Sequence, residues 1–147
     1  MKVKDILDKK GTDIYSASPD ESVLDAIGKM AELNIGALLV MDGDDLVGII
    51  SERDYRNKII LKGRTSKDTP VSQIMVDKVI CVEPSDNVNL CMQLMTSKKI
   101  RHLPVVDETR VVGVISIGDV VKSVIETQKN EINSLRNYIT TGGGYPA

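Results

Sequence analysis

The apolar and polar positions of this chain follow a pattern that occurs twice. A shift of 65 positions aligns residues 14–60 with residues 79–125 without a gap, and about thirteen of the aligned positions are identical. The identities include proline, glycine and aspartate as well as aliphatic residues, so a chance likeness between two aliphatic-rich segments does not explain them. The sequence therefore predicts a duplicated structural unit.

Each copy predicts the same order of elements. A short extended segment comes first, and the helix that follows has apolar residues at helical spacing on one face: Val23, Ile27 and Met30 in the first copy, and Val88, Met92 and Met95 in the second. Two apolar strands form a β-hairpin, and a last helix begins at Ser51 or Ser116. Such a βαββα unit is too small to bury its sheet alone. We expect an α/β (α+β) fold in which two units pack as a pseudo-twofold pair.

Short segments flank the two copies. The lead-in segment Val3–Leu7 is similar to Val71–Met75, which indicates that a short helix precedes each copy. Chain order predicts four parts: residues 1–62 as the first repeat with its lead-in, 63–73 as a linker, 74–126 as the second repeat, and 127–147 as a C-terminal helix with a flexible tail.

The last helix of the second copy is predicted to be longer than its counterpart. Past Ile125, an apolar stripe continues at Ile132, Leu135 and Ile139 on an otherwise polar helix. Such a helix either docks on its own module or serves in dimerisation or partner binding. The pattern leaves both alternatives open, and we expect a homodimer.

The composition narrows the range of functions. The chain has no Phe or Trp, which predicts an aliphatic core, and its net charge of −2 gives no basic footprint for nucleic acid. No apolar run reaches the roughly 20 residues of a membrane span, and the N-terminus has no stretch like a signal peptide. Cys81 and Cys91 lie among apolar residues, which predicts buried, inert thiols. We expect a cytoplasmic protein without nucleic-acid or membrane partners.

The strongest candidate site is a motif that closes each copy. In Gly48–Asp54 and in Gly113–Asp119, a strand ends at a serine and an aspartate follows three residues later, in the first turn of a helix. One interpretation is structural, because a serine N-cap with an acid at the third position is close to a capping box. The other is a ribose-phosphate site, because a helix N-terminus attracts phosphate and a nearby carboxylate accepts hydrogen bonds from ribose hydroxyls.

The duplicated unit and its motif resemble a pair of cystathionine-β-synthase-type (CBS) domains over nearly the whole chain. The resemblance is greatest to small stand-alone pairs, which carry segments like Ser51–Tyr55, Gly63–Thr69 and Ile100–Pro104. It implies two clefts between the repeats that bind adenosine ligands such as AMP, ADP, ATP, NAD(H) or S-adenosylmethionine.

The same resemblance implies roles for individual residues. Asp54 and Asp119 would bind the ribose hydroxyls, and Ser51 and Ser116 would bind the phosphate. Backbone and strand positions in both copies would hold the adenine, namely Tyr15, Ser16, Ala17, Ala37, Ile80, Cys81, His102, Leu103 and Pro104.

Basic side chains gather near the end of the first copy in an otherwise acidic chain. Arg53, Arg64 and Lys67, with the hydroxyl of Ser66, are expected to clamp phosphate groups, because arginine binds phosphate through a bidentate fork.

The two clefts are not expected to be equivalent. Arg101 and His102 stand where the first copy has Gly36 and Ala37. We expect Arg101 to contact a phosphate. A lone histidine provides neither a metal cage nor a catalytic triad, so His102 is expected to face the core or a phosphate.

These features predict a non-catalytic regulator that binds an adenine nucleotide between its repeats, uses no catalytic cofactor, and changes the activity of a partner protein. An enzyme, for example a nucleotide phosphohydrolase with an aspartate base, is a second hypothesis, although each site offers a single carboxylate and no P-loop. A structural dimer adaptor with empty clefts is a third. The sequence identifies neither the preferred ligand nor the regulated partner.

Overall fold

A computed structural model of the chain describes residues 1–140. Its elements in chain order are α1 (Val3–Lys10), β1 (Ser16–Ala17), α2 (Val23–Leu33), β2 (Ala37–Asp42), β3 (Asp45–Ser51), α3 (Glu52–Tyr55) with a π-helical turn (Arg56–Ile60), a 3-10 turn (Val71–Gln73), α4 (Val88–Lys98), β4 (His102–Asp107), β5 (Arg110–Ser116) and α5 (Ile117–Thr140). This order confirms two repeats of the predicted kind followed by an extended helix, although the first strand of the second repeat is reduced to a bridge at Val82. The tail predicted beyond that helix lies outside the described residues.

Each repeat contains a small sheet built around a hairpin. In the first repeat, β1 pairs parallel to β2 and β2 pairs antiparallel to β3. In the second, β4 pairs antiparallel to β5, and Val82 forms a single parallel bridge to Val105. Both hairpins shift register at the same place, after Val40 and after Val105. This shared irregularity shows that the duplication extends to local backbone geometry.

The helix that follows the first strand segment covers one face of each sheet. Helix α2 begins after Ser22, whose hydroxyl accepts a hydrogen bond from the backbone N–H of Asp25. Helix α4 differs from the sequence prediction, because Cys91 is fully buried whereas Met92 is 38% exposed. The prediction for Met92 was therefore wrong. Apolar residues lie on several sides of α4, so periodicity alone did not identify the buried face.

The two lead-in segments exchange places. Val3, Ile6 and Leu7 of α1 lie in the core of the second repeat, whereas Val71 and Ile74 lie in the core of the first. Backbone hydrogen bonds fix both positions, for example from the N–H of Val3 to the carbonyl of Asp86 (2.9 Å) and from the N–H of Val71 to the carbonyl of Glu21 (2.8 Å). The lead-in packing thus departs from chain order and ties the two repeats together.

The first glycine of each closing motif makes room for a lead-in side chain. A Cβ at Gly48 would lie 2.5 Å from Sδ of Met75, and one at Gly113 would lie 2.7 Å from Cδ2 of Leu7. Any larger residue would force these side chains to move, because the cores are close-packed. The glycine of the motif therefore has a packing role in both repeats.

Helix α5 lies against the module over its first half only. Val120 and Ser123 are buried, whereas every residue from Gln128 to Ile139 is exposed. Of the two sequence alternatives, docking thus describes the first half, whereas the residues of the second half stay exposed and border Met1 and Asp5 of their own module across an open surface cavity. None of the helices within residues 1–140 combines the length and the apolar character that crossing a membrane requires.

Candidate functional site

A cavity of about 350 Å³ lies between the two repeats and is bounded by both. Its volume falls in the range of small-molecule sites. The first repeat contributes the residues before and within its strands, and the second contributes the ends of β4 and β5. The lining residues are Lys10, Gly11, Asp13, Tyr15, Asn34, Ile35, Gly36, Ala37, Leu38, Leu39, Ile49, His102, Val114 and Ser116.

One side of the cavity is apolar and comes from the first repeat. Ala37 and Leu39 of β2 and Ile49 of β3 line it, and Tyr15 stands at its edge with 43% of its surface exposed. The N–H of Leu39 donates to the carbonyl of Tyr15 (3.3 Å), which fixes the segment before β1 beside β2. Such a wall suits a flat, apolar group such as a heterocycle.

The opposite side comes from the second repeat and includes Ser116, the residue before α5; Asp119 in the first turn of α5 lies beside the cavity and outside its lining. The N–H of Ser116 donates to Oδ2 of Asp119 (2.8 Å), and the N–H of Asp119 donates to Oγ of Ser116 (3.2 Å). This reciprocal pair is the capping box that the sequence indicated. It also fixes a carboxylate and a hydroxyl at a helix N-terminus, where the helix dipole favours an anion, while the N–H of Ile117 already donates to the carbonyl of Arg101 (2.8 Å).

Lys10 at the end of α1 joins this polar corner. Its ammonium group donates to Oδ2 of Asp119 (2.6 Å) and to the carbonyl of Val114 (2.7 Å). Burial raises the pKa of Asp119, but hydrogen bonds from Lys10 and Ser116 outweigh this effect and hold the pKa below its usual range. Asp119 is therefore a fixed anion beside a cation contributed by the exchanged lead-in.

His102 lies where the two repeats meet. Its Cε1 atom is 3.4 Å from the position that a Cβ on Gly36 would take, so the glycine admits the imidazole. Burial, Lys10 and Arg101 lower the pKa of His102 and outweigh the opposite effect of Asp119, so the ring is neutral near pH 7. Among residues 1–140, no three His, Cys, Asp or Glu side chains are grouped to hold a metal ion.

The equivalent motif of the first repeat has a different environment. The N–H of Ser51 donates to Oδ2 of Asp54 (3.0 Å), as in the second repeat. Lys58, on the turn after α3, lies 3.1 Å from Oδ1 of Asp54, and it also donates to the carbonyl of Ile74. Both carboxylates are thus paired with lysine and lie outside the lining of the described cavity, but Ser116 lines that cavity whereas Ser51 does not. The two predicted clefts are not alike in this structure.

The structure does not bring the predicted phosphate clamp into the cavity. Arg53 donates to the carbonyl of Lys99 (2.6 Å), and Arg64 donates to the side-chain amide of Gln73. The carbonyl of Ser66 accepts a hydrogen bond from the N–H of Leu24 at the start of α2. Lys67 is exposed on the linker, and Arg101 is exposed beside β4. The hydrogen bonds of Arg64 and Ser66 stabilise the linker, and that of Arg53 joins the two repeats.

The remaining predicted positions fall into two groups. Tyr15, Ala37, His102 and Ser116 line the cavity, and Asp119 is held beside it by Ser116 without belonging to the lining. The others belong to the protein interior or to other surfaces. Ala17, Leu103 and Pro104 are buried, and Ile80 packs against the core of the second repeat. The carbonyl of Pro104 accepts a hydrogen bond from the N–H of Val82, the carbonyl of Ser16 accepts one from Lys29, and Cys81 is exposed. The prediction that both thiols are buried was wrong for Cys81 and correct for Cys91.

Sequence reasoning missed the contribution of the lead-in. Lys10, Gly11 and Asp13 all line the cavity, yet they precede the repeated segment and have no counterpart in the aligned copies. A signal was present in the similarity between Val3–Leu7 and Val71–Met75, which marks the lead-in as part of each unit. That similarity does not reveal which repeat the lead-in packs against.

Comparisons with known proteins agree with this architecture. The family model of the CBS domain matches residues 3–60 and 71–126. The mitochondrial CBS domain-containing protein CBSX3 of Arabidopsis thaliana is 41% identical over 152 residues, covering 97% of this chain and 73% of that protein. A protein with CBS domains from Burkholderia ambifaria is 51% identical, with a TM-score of 0.84 over 87% of this chain and 96% of that chain.

A further similar structure contains ligands. The CBS domain pair of protein MJ0100 was solved in complex with 5′-methylthioadenosine and S-adenosyl-L-methionine. It is 27% identical to this chain, with a TM-score of 0.77 over 86% of this chain and 98% of that one. Both of its ligands contain an adenosine group.

Proposed function

Because the chain belongs to the CBS-domain family, whose model matches both repeats, we propose that it is a non-catalytic regulatory module that binds an adenosine ligand in the cavity between its repeats. The observation that carries this proposal is the composition of the cavity. An apolar wall from the first repeat faces Ser116 before α5 and Lys10 at the end of α1, and both of these residues hydrogen-bond to the carboxylate of Asp119 beside the cavity. The ligand-bound relative supports adenosine as the common chemical group.

The cavity suggests an orientation for the ligand. The adenine would lie against Tyr15 and Ala37, and the ribose hydroxyls would donate to Asp119. The hydrogen bonds from Ser116 and Lys10 both end on Oδ2 of Asp119, which offers Oδ1 to the ribose. A phosphate would then lie near Lys10 and the N-terminus of α5, which favours AMP, ADP, ATP or NAD(H) over a cationic ligand.

Such binding would regulate by joining the two repeats. The ligand would contact β2 of the first repeat and α5 of the second, so it stabilises the arrangement in which these elements face each other. A partner protein whose affinity for this arrangement of the repeats differs from its affinity for other arrangements would then respond to the ligand. The low pKa of Asp119, set by Lys10 and Ser116 against the effect of burial, makes it a weak general base, which supports a binding role rather than catalysis.

A thermal-shift screen with AMP, ADP, ATP, NAD(H) and S-adenosylmethionine tests the proposal. We expect at least one ligand to raise the Tm of the wild-type chain, and Asp119→Ala to abolish that shift. Asp107→Ala removes an aspartate at the far end of β4 and serves as the control, with its shift retained. The absence of any shift at millimolar ligand would contradict the proposal, and turnover of a ligand would favour an enzyme.

A further inference from the structure

Helix α5 carries a continuous apolar stripe that its own module leaves uncovered. The stripe consists of positions spaced four and three residues apart, and we call it the α5 stripe: Val121, Ile125, Gln128, Ile132, Leu135 and Ile139. Its five apolar members are between 46% and 64% exposed. Alternating steps of four and three residues form the seam of a coiled coil.

The α5 stripe is not the face that α5 uses against its own module. That contact is made by Val120 and Ser123, which are buried on another side of the helix. Beyond Thr127 the helix continues with all sides exposed as far as Ile139. A stretch of this length has little helical stability in water without packing partners. The projecting half therefore has the form of a helix whose partner is another molecule.

The charges beside the α5 stripe identify that partner as a second copy in parallel orientation. Lys122, Lys129 and Arg136 flank the stripe on one side, and Glu131 flanks it on the other. In a parallel pair, Glu131 of one copy faces Arg136 of the other, five residues further along. An antiparallel pair would instead bring the cationic sides of the two helices together, which is unfavourable. The pattern complements itself in the parallel arrangement only.

We propose that two copies of this chain dimerise through a parallel, in-register coiled coil formed by the α5 stripe. Isoleucine occupies three alternate positions, Ile125, Ile132 and Ile139, with Leu135 between the last two, an arrangement that favours two strands. Gln128 meets its own counterpart in this register, and a polar residue at a single seam position fixes alignment and strand number. This interface is separate from the cavity and does not depend on a ligand.

Sedimentation equilibrium of the full-length chain tests the dimer. We expect a species of twice the chain mass of 16.1 kDa. Ile132→Lys is expected to raise the dimer dissociation constant by about a hundredfold, because each copy loses one buried isoleucine. Asn133→Lys adds the same charge at the neighbouring exposed position and should have little effect. A monomer at all concentrations, or a dimer that withstands Ile132→Lys, would overturn the proposal.

A charge exchange tests the orientation. In the parallel pair, Arg136→Glu places two glutamates opposite each other and should weaken the dimer severalfold, as should Glu131→Arg. The double variant restores the pairing and should recover the wild-type dissociation constant. In an antiparallel pair, Arg136→Glu would relieve the clash of cations and strengthen the dimer. A strengthened single variant would therefore overturn the parallel arrangement.

Discussion

Replacing Lys10 with methionine tests which adenosine ligands the cavity accepts. The substitution keeps a long apolar side chain and removes the ammonium group that lies 2.6 Å from Oδ2 of Asp119. In the proposed orientation a phosphate lies near this group, whereas S-adenosylmethionine would bring a sulfonium cation instead. We therefore expect Lys10→Met to weaken binding of AMP, and to leave binding of S-adenosylmethionine unchanged or improved.

The expected loss of AMP affinity in Lys10→Met follows from the exposure of the side chains of Lys10 and Asp119. A hydrogen bond between charged groups contributes about 1.5–3 kcal/mol. The side chain of Lys10 is 35% exposed and that of Asp119 is 24% exposed, so solvent screens part of this energy. We therefore take a value near the lower limit, about 1.4 kcal/mol, which corresponds to a tenfold increase in the Kd for AMP. The ratio of the two Kd values is the informative quantity, because freeing Asp119 affects the ribose contact of both ligands alike.

Isothermal titration calorimetry with AMP and with S-adenosylmethionine gives that ratio. Lys9→Met is a matched control, because Lys9 is the preceding residue, has a side chain that is 66% exposed, and pairs with Glu126 instead of the cavity. We expect the ratio of Kd values to change about tenfold in Lys10→Met and to stay constant in Lys9→Met. Equal changes for both ligands, or the same change in both variants, would refute the proposed role of Lys10.

Three further predictions concern stability and reactivity. Burial and nearby cations lower the pKa of His102 in the folded chain, so the imidazole binds a proton more readily in the unfolded chain. The Tm should therefore fall as the pH drops below about 6.5, and His102→Gln should make this fall smaller. A flat wild-type profile would contradict this. In urea titrations, Gly113→Ala should lower the free energy of unfolding by about 1 kcal/mol or more, because the added methyl group would overpack against Leu7. Gly28→Ala adds a methyl group in open space on α2 and should raise the free energy of unfolding by about 0.5–1 kcal/mol. Equal effects of the two substitutions would contradict the close approach of Leu7 to Gly113. Burial raises the pKa of both thiols, that of Cys91 to about 11, but only Cys91 is buried whereas Cys81 is exposed. Peptide mass spectrometry should therefore find iodoacetamide on Cys81 alone in the folded chain, and early labelling of Cys91 would contradict its burial.

The repeat architecture could be predicted from the sequence because its signals are local. Strands, hairpins and serine N-caps depend on neighbouring residues, and the duplication gave each signal twice. The capping boxes at Ser51 and Ser116 are present as the motif indicated. The buried face of α4 was harder to predict, because Cys91 and Met92 are both apolar and the shape of the core determines which of them is buried.

The cavity could be predicted only in part, because its composition depends on tertiary packing. Ser116 and His102 were recognised from the motif and from the difference between the copies. Lys10 was not, because the exchange of lead-in segments leaves no periodic signal in the sequence. Conversely, Arg53 and Arg64 are basic and close to the motif in sequence, but their hydrogen bonds turn them toward Lys99 and Gln73. Proximity along the chain did not translate into proximity at the cavity.

Photolabelling with azido-AMP tests the central claim most directly, because it reports where the ligand lies. After irradiation and peptide mapping, the account predicts label on the peptides that contain Tyr15 and Ala37, competed by unlabelled AMP and lost in Asp119→Ala. Label confined to the linker that carries Arg64 and Lys67, or label on the cavity that is indifferent to Asp119→Ala, would contradict an adenosine site between the repeats.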